Sequence, residues 1–273
     1  MRPYLQSLHI YPVKSCHRVD LESAELEPWG LAGDRRWLVT DEEGQMRTQR
    51  VLPRMALIRP TYFAGGGLRL TAPGMPELEL PPVARARGAA EASVTVWRFT
   101  GPAASAGKEA DAWVSTFLGQ PSRLVRMDDT QVRPTNPEYS RAEDRVSFAD
   151  GYPLLLASAS SLSALADWIV EMGGDPVPMT RFRPNVVVDG AEPWAEDSWK
   201  RLRIGEQTFR VVKRCGRCVM TTVDPEFGRF AGQQPLKALR RHRREDKDVY
   251  FAVNLIPDTV GPLRVGADVE VLG

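Results

Sequence analysis

Leu68-Arg69-Leu70-Thr71-Ala72-Pro73-Gly74-Met75-Pro76-Glu77-Leu78-Glu79-Leu80 places two apolar–charged–apolar runs around a proline-glycine turn, the period-two signature of short, half-buried strands. The same alternation appears in Leu8-His9-Ile10, Glu25-Leu26-Glu27, Trp37-Leu38-Val39 and Val94-Thr95-Val96. Residues 4–99 are therefore predicted to form a β-barrel or sandwich without long helices. Asp41-Glu42-Glu43-Gly44 reads as the turn of a hairpin between Trp37–Thr40 and Gln45–Thr48, Gly65-Gly66-Gly67 as a second turn, and Pro81–Ala92 as a surface loop.

Working outward, the first helix is predicted over Lys108–Leu118, with Ala110, Trp113, Val114 and Phe117 on one face and Gly119-Gln120-Pro121 ending it. A second spans Ser160–Met172, capped by serines and stopped by Gly173, and a third spans Pro235–Arg241. Strand-like runs lie at Leu154–Ala157, Asn185–Val188, Thr208–Val212, Val219–Val223, Tyr250–Val253 and Asp268–Leu272. The second half thus reads as β-rich α+β and not as a βαβ alternation. Asp128–Asp144, charged and interrupted by two prolines, is a loop long enough to be functional or mobile.

In the 273-residue chain, 42% hydrophobic and 26% charged residues are globular proportions. Lys+Arg 36 against Asp+Glu 35 leaves +1, so no net basic field holds a polyanion, which argues against nucleic acid. Three cysteines make no disulfide framework. The opening Met1–Ser15 carries charge and proline where a secretory signal needs an apolar run, and no later stretch approaches the ~20 apolar residues of a membrane span. A cytoplasmic protein in a reducing compartment is expected.

Cys215-Gly216-Arg217-Cys218 is the most chemical tetrad, and several readings compete for it. A structural zinc site lacks a second ligand pair at ribbon or finger spacing. A thioredoxin-like pair would open a helix, whereas Val219–Val223 reads as a strand. A single thiolate for a soft metal suits the flanking Lys213, Arg214 and Arg217, and two small buried hydrophobes are the plain alternative. Lys14 and Ser15 follow the first strand, where ammonium and hydroxyl can meet a phosphate or carboxylate. Strand alternation would point Arg35 and Trp37 one way and Arg36 the other. Arg181, Arg183 and Asn185 would share a side if that segment is extended, as a residue before proline tends to be. With Ser158, Ser160 and Ser161 at a helix start, these residues suit a phosphorylated cofactor.

The ordered set Tyr11-Pro12-Val13-Lys14-Ser15-Cys16, Gly33-Asp34-Arg35-Arg36-Trp37, Leu156-Ala157-Ser158-Ala159-Ser160-Ser161-Leu162, Arg181-Phe182-Arg183-Pro184-Asn185 and the run from Cys215 to Gly228, closed by a strand ending at Gly273, resembles the MOSC proteins with an N-terminal MOSC β-barrel domain. The mitochondrial amidoxime-reducing component and its bacterial YcbX-type relatives are among them. The resemblance spans nearly the whole chain and implies an N-terminal MOSC β-barrel domain over 1–119 and a MOSC domain over 120–273. It implies a pterin-dithiolene molybdenum cofactor between them, with molybdenum bound by Cys218. Cofactor contacts are implied for Lys14, Ser15 and Arg35, and further for Ser158, Ser160, Ser161, Arg181, Arg183 and Asn185. Thr221, Thr222 and Asp224 match the stretch after the cysteine without an assigned contact. The implied activity is reduction of N-hydroxylated compounds such as hydroxylamines, amidoximes or hydroxylated nucleobases, and the alternative is a non-catalytic cofactor-binding or sulfur-carrier protein. A protein without the membrane anchor of the mitochondrial members is expected, and also without the iron–sulfur domain of some bacterial ones, since no cysteine follows Cys218 in this sequence. Electrons are therefore expected from a separate flavin or iron–sulfur protein.

Overall fold

The computed structural model describes residues 2–63, 67–82, 91–127 and 131–273. In chain order its strands are β1 (Tyr4–Ile10), β2 (Val19–Leu21), β3 (Ser23–Glu27), β4 (Gly30–Leu31), β5 (Trp37–Thr40), β6 (Arg59–Phe63), β7 (Gly67–Thr71), β8 (Leu78–Leu80), β9 (Glu91–Val96), β10 (Phe99–Ser105) and β11 (Arg123–Arg126). They continue with β12 (Leu154–Ser158), β13 (Val186–Asp189), β14 (Arg201–Ile204), β15 (Gln207–Gly216), β16 (Val223–Asp224), β17 (Arg229–Phe230), β18 (Arg244–Glu245), β19 (Asp248–Pro257), β20 (Gly261–Arg264) and β21 (Val269–Val271). The helices are α1 (Lys108–Leu118), α2 (Ala159–Glu171) and α3 (Leu236–His242). Residues 64–66, 83–90 and 128–130, on which the Gly65-Gly66-Gly67 turn and much of the Pro81–Ala92 loop fall, lie outside the described residues.

The largest sheet runs β2-β1-β13-β12-β19-β15-β14-β21. Its last strand, β21, meets β1: Leu5 N–H donates to Ala267 O at 2.8 Å, Val269 N–H donates to Pro3 O at 2.9 Å, and Tyr4 bridges Asp268. The sheet is thereby closed as a barrel with no free edge along this seam. Alternate residues point inward, so Leu5, Leu156, Val186, Val188, Leu202, Ile204, Phe209, Val253 and Leu255 fill one core. A second region holds β5-β11-β10-β9 and β6-β7-β8, with α1 packed on it through Ala110, Trp113, Val114 and Phe117. Strand β5 is buried on both faces: Trp37 and Val39 join the core under α1, while Leu38 joins Val94, Val96, Val125 and Phe148. Gly44, at φ +81°, closes the turn after β5 because an added Cβ would sit 2.1 Å from Ser93 O. Several elements pair across the expected division at 119/120: β1 and β2 belong to the large sheet, β3 and β4 form a sheet with β20, and β11 joins the sheet of β5 and β10. Among the described residues no helix is long and apolar enough to cross a membrane.

Helix α1 has the expected bounds, and α2 has Ser158 as N-cap, its hydroxyl accepting from Ser161 N–H at 3.4 Å. The Val219–Val223 expectation is corrected: Val219–Thr222 is a single 3₁₀ turn, and only Val223 enters a strand. Both threonines turn their hydroxyls back, Thr221 onto Cys218 O at 3.0 Å and Thr222 onto Val219 O at 2.7 Å. Such local bonds compete with a strand ladder and override β-branched propensity.

The long segment before residue 145 is pinned by an ionic clamp. Arg210 on β15 forks onto buried Asp144 at 2.9 and 2.6 Å and also donates to Asp258 at 2.7 Å. Burial alone would raise the Asp144 pKa, but the Arg210 hydrogen bonds and charge outweigh it and hold the carboxyl below the usual range. A carboxyl depressed in the folded state stabilises above its unfolded pKa, and that contribution is lost as the pH falls. The urea midpoint is therefore expected to drop more steeply between about pH 5 and about pH 3 in the wild type than in Asp144→Asn. Parallel pH profiles of the two proteins would show that the clamp contributes nothing.

Candidate functional site

The N-terminal ends of β12 and β13, the C-terminal end of β15 and the turns after β1 and before β5 converge on a solvent-open cleft of about 910 Å³. Lys14, Ser15, Arg35, Arg181, Arg183, Asn185 and Cys218 all line it, together with Cys215. Turns and strand ends that are far apart in sequence thus place two thiols and a set of cations around a single space.

The geometry reached is not the one the sequence implied. Arg35 lies in a turn at φ 47°, ahead of β5, so strand alternation does not orient it. It reaches the cleft because Nη1 donates to Asp34 at 2.7 Å and to Asn185 Oδ1 at 2.9 Å, and Nη2 to Arg183 O at 3.2 Å. Arg36 does face away: it is buried, donates to Met127 O at 3.2 Å and stacks on Trp29. The segment around Arg181 is likewise not extended, since Met179–Phe182 is a 3₁₀ turn and Arg183, although followed by proline, sits at φ 58°. A compact turn, not a strand face, gathers Arg181, Arg183 and Asn185.

Ser158, Ser160 and Ser161 are not brought to the cleft. Leu154 and Leu155 at the start of β12 line it, whereas the serines follow the far end of that strand, roughly 13 Å further on at ~3.3 Å per residue. Ser158 caps α2, Ser160 donates to Asp189 at 3.3 Å, and Ser161 donates to Glu196 at 2.8 Å while accepting from Trp194 N–H. Their hydroxyls serve the fold.

Several residues of the site carried no pattern in the sequence. Arg50, just after the hairpin arm Gln45–Thr48, donates from Nε to Cys218 Sγ at 3.4 Å. Asp150 accepts from Lys14 Nζ at 2.5 Å and lies 3.6 Å from Arg50 Nη2. Burial would raise the Asp150 pKa, but the charge and hydrogen bond of Lys14 prevail, assisted by Arg50 and Trp97, and hold it well below the usual carboxylate range. Arg133, from the long loop singled out above, donates to Ser147 O, Ala149 O and Asp150 O and shapes the segment that presents Asp150. The Tyr11 ring carries two guanidiniums, Arg35 at 4.2 Å and Arg183 at 4.1 Å from its centroid.

Six cations line the cleft, Lys14, Arg35, Arg50, Arg181, Arg183 and Arg217, against one lining carboxylate, Asp150, among the described residues. Four nitrogens of this set are buried without a hydrogen-bond partner: Nε and Nη1 of Arg181, Nη2 of Arg183 and Nε of Arg217. Burial pushes the Arg183 pKa down to about 10. Unpaired buried donors on charged groups cost free energy. This donor set suits a multiply charged anion, and the Cys218 sulfur beside it suits a soft metal. Among the described residues no three His, Cys, Asp or Glu side chains form a metal cluster.

Residues 2–121 match the MOSC N-terminal beta barrel domain family and residues 143–270 the MOSC domain family. The chain is 36% identical to mitochondrial amidoxime-reducing component 1 of Xenopus laevis, over 96% of this chain and 78% of that protein. It is 34% identical to its Homo sapiens counterpart, over 97% of this chain and 82% of that one. A molybdenum cofactor sulfurase of Oryza sativa subsp. japonica is 32% identical over 92% of this chain but only 32% of its own length. On these matches and on the closed β-rich fold, the chain belongs to the MOSC proteins that join an N-terminal MOSC β-barrel domain to a MOSC domain.

Proposed function

We propose that this protein is a molybdenum-cofactor-dependent reductase of N-hydroxylated compounds, supplied with electrons by a separate flavin or iron–sulfur protein. The observation that carries the reading is the cleft itself, lined by Cys218, whose sulfur accepts from Arg50, and by six cations against one carboxylate among the described residues. The names of the amidoxime-reducing relatives support the same activity.

When bound, the cofactor supplies two-electron chemistry that removes the substrate oxygen, with two protons, as water. Cys218 would ligate the molybdenum through its thiolate. Arg181, Arg183 and Arg217 line the same space as Lys14 and Ser15, and these residues would hold the anionic groups of the cofactor. Asp34 and Asn185 orient Arg35, while Arg50 holds its Nε–H on the Cys218 sulfur.

The experiment is to purify the protein from a host that makes the cofactor, measure molybdenum and pterin per chain, and assay benzamidoxime with dithionite-reduced viologen. Roughly stoichiometric molybdenum with turnover is expected, and NADH alone should drive none. The sulfurase relative favours a second reading, a non-catalytic cofactor-binding or sulfur-carrier protein. Bound molybdenum without amidoxime reduction would select that reading, and a folded protein devoid of molybdenum would sink both.

A further inference from the structure

Trp97 occupies a position that its residue type disfavours. It opens the two-residue turn between β9 and β10, where Val96 pairs with Phe99, and it sits at φ 58°. Hairpins of this length give such a position to glycine, asparagine or aspartate, because a bulky side chain is strained there. The residue is also 47% exposed, so burial of apolar surface does not account for it. A strained, half-exposed tryptophan asks for a reason beyond the fold.

Its neighbours connect it to the cleft. Trp97 Nε1 donates to Asp150 Oδ1 at 3.2 Å, and the Arg50 guanidinium lies over the indole, 4.5 Å from its centroid. Both of those residues line the cleft, and Arg50 also touches Cys218 Sγ. The indole is thus held in a fixed orientation beside two residues that line the cleft, two contacts from the proposed metal ligand, with Arg50 on one face and about half of the residue exposed.

We propose that Trp97 is a specificity-determining residue: its indole is a stacking platform that favours planar, aromatic N-hydroxylated substrates over aliphatic ones. The proposal rests on the reductase reading for its substrate class. Offset stacking of an aryl ring on the indole adds to affinity without entering the chemistry, so it acts on KM and leaves kcat nearly unchanged. The hairpin of the N-terminal region would then select the substrate, while the elements around Cys218 hold the cofactor.

The test compares benzamidoxime with acetamidoxime in wild type, Trp97→Gly and Trp97→Phe. Glycine removes the ring and accommodates the positive φ, so the variant keeps the turn. Two readouts are taken: KM and kcat with reduced viologen, and the Kd of each amidoxime for the oxidised protein without reductant, by calorimetry. Trp97→Gly should raise the benzamidoxime KM and Kd by about two- to tenfold relative to any change for acetamidoxime, and Trp97→Phe should recover most of the loss. Equal changes for the two compounds, no change at all, or no binding of benzamidoxime to the oxidised wild type would overturn the platform. Trp97-dependent binding with no turnover of either amidoxime would leave the platform standing and sink the reductase reading.

Discussion

Cys218→Ser is expected to strip the protein of molybdenum and of reductase activity together, whereas Cys215→Ser keeps both within a few-fold. A neutral hydroxyl is a far poorer ligand for a soft metal than a thiolate. The loss should exceed the roughly 10- to 100-fold that removing an outer-shell partner of a metal site costs. Both cysteines are partly exposed in the cleft, so neither substitution opens a core cavity, and the thermal midpoint of the cofactor-free protein should hold. The contrast between them has a structural basis. Cys215 Sγ accepts from Arg217 Nη1 at 3.0 Å and lies 3.7 Å from Gly216 O, while Cys218 Sγ has, among the described residues, only the longer 3.4 Å contact from Arg50 Nε. Activity that survives in Cys218→Ser but disappears in Cys215→Ser would reverse the assignment of the ligand.

Arg183→Met is expected to separate cofactor retention from folding. The guanidinium is buried against Tyr11 and donates to Cys16 O at 2.8 Å, but Nη2 has no partner, and burial lowers its pKa. In the cofactor-free protein, methionine of similar length removes a costly buried cation and also the Cys16 contact, so the two changes offset one another to within about 2 kcal/mol. Toward an anionic ligand nothing offsets the lost charge. A charge-assisted hydrogen bond contributes ~1.5–3 kcal/mol, which is roughly tenfold or more in affinity. Molybdopterin per chain after gel filtration should fall by that factor. The rise in thermal midpoint that loading gives the wild type should shrink accordingly. Full retention in the variant, or destabilisation of the cofactor-free protein large enough to explain the loss, would assign Arg183 to the fold alone.

The elements of regular period are legible in the sequence. The alternation in Leu68–Leu70 and Leu78–Leu80 gives β7 and β8, and the apolar stripe of Lys108–Leu118 gives α1 with its bounds intact, because each pattern is imposed locally by one face meeting a core. Lys14 and Ser15 could be placed at a strand end for the same reason. Where local hydrogen bonding competes with periodicity, the reading failed. Thr221 and Thr222 bond back to their own turn, and Arg183 takes a left-handed backbone although a proline follows.

By itself, then, the sequence determined the β-rich architecture, the thiol tetrad and the cationic motifs that resemble the MOSC proteins. Only the tertiary structure decided which of those motifs share one space. The serines at the start of α2 look like a phosphate cradle in sequence, yet closure of the barrel puts them beyond the opposite end of β12 from the cleft. Arg50 and Cys218 are 168 positions apart and Lys14 and Asp150 are 136, and all four leave regular elements before they meet. Loop residues at strand ends repeat with no period, so no spacing announces them. Their positions follow from how the sheets close and pack, a property of the whole chain and not of any stretch within it.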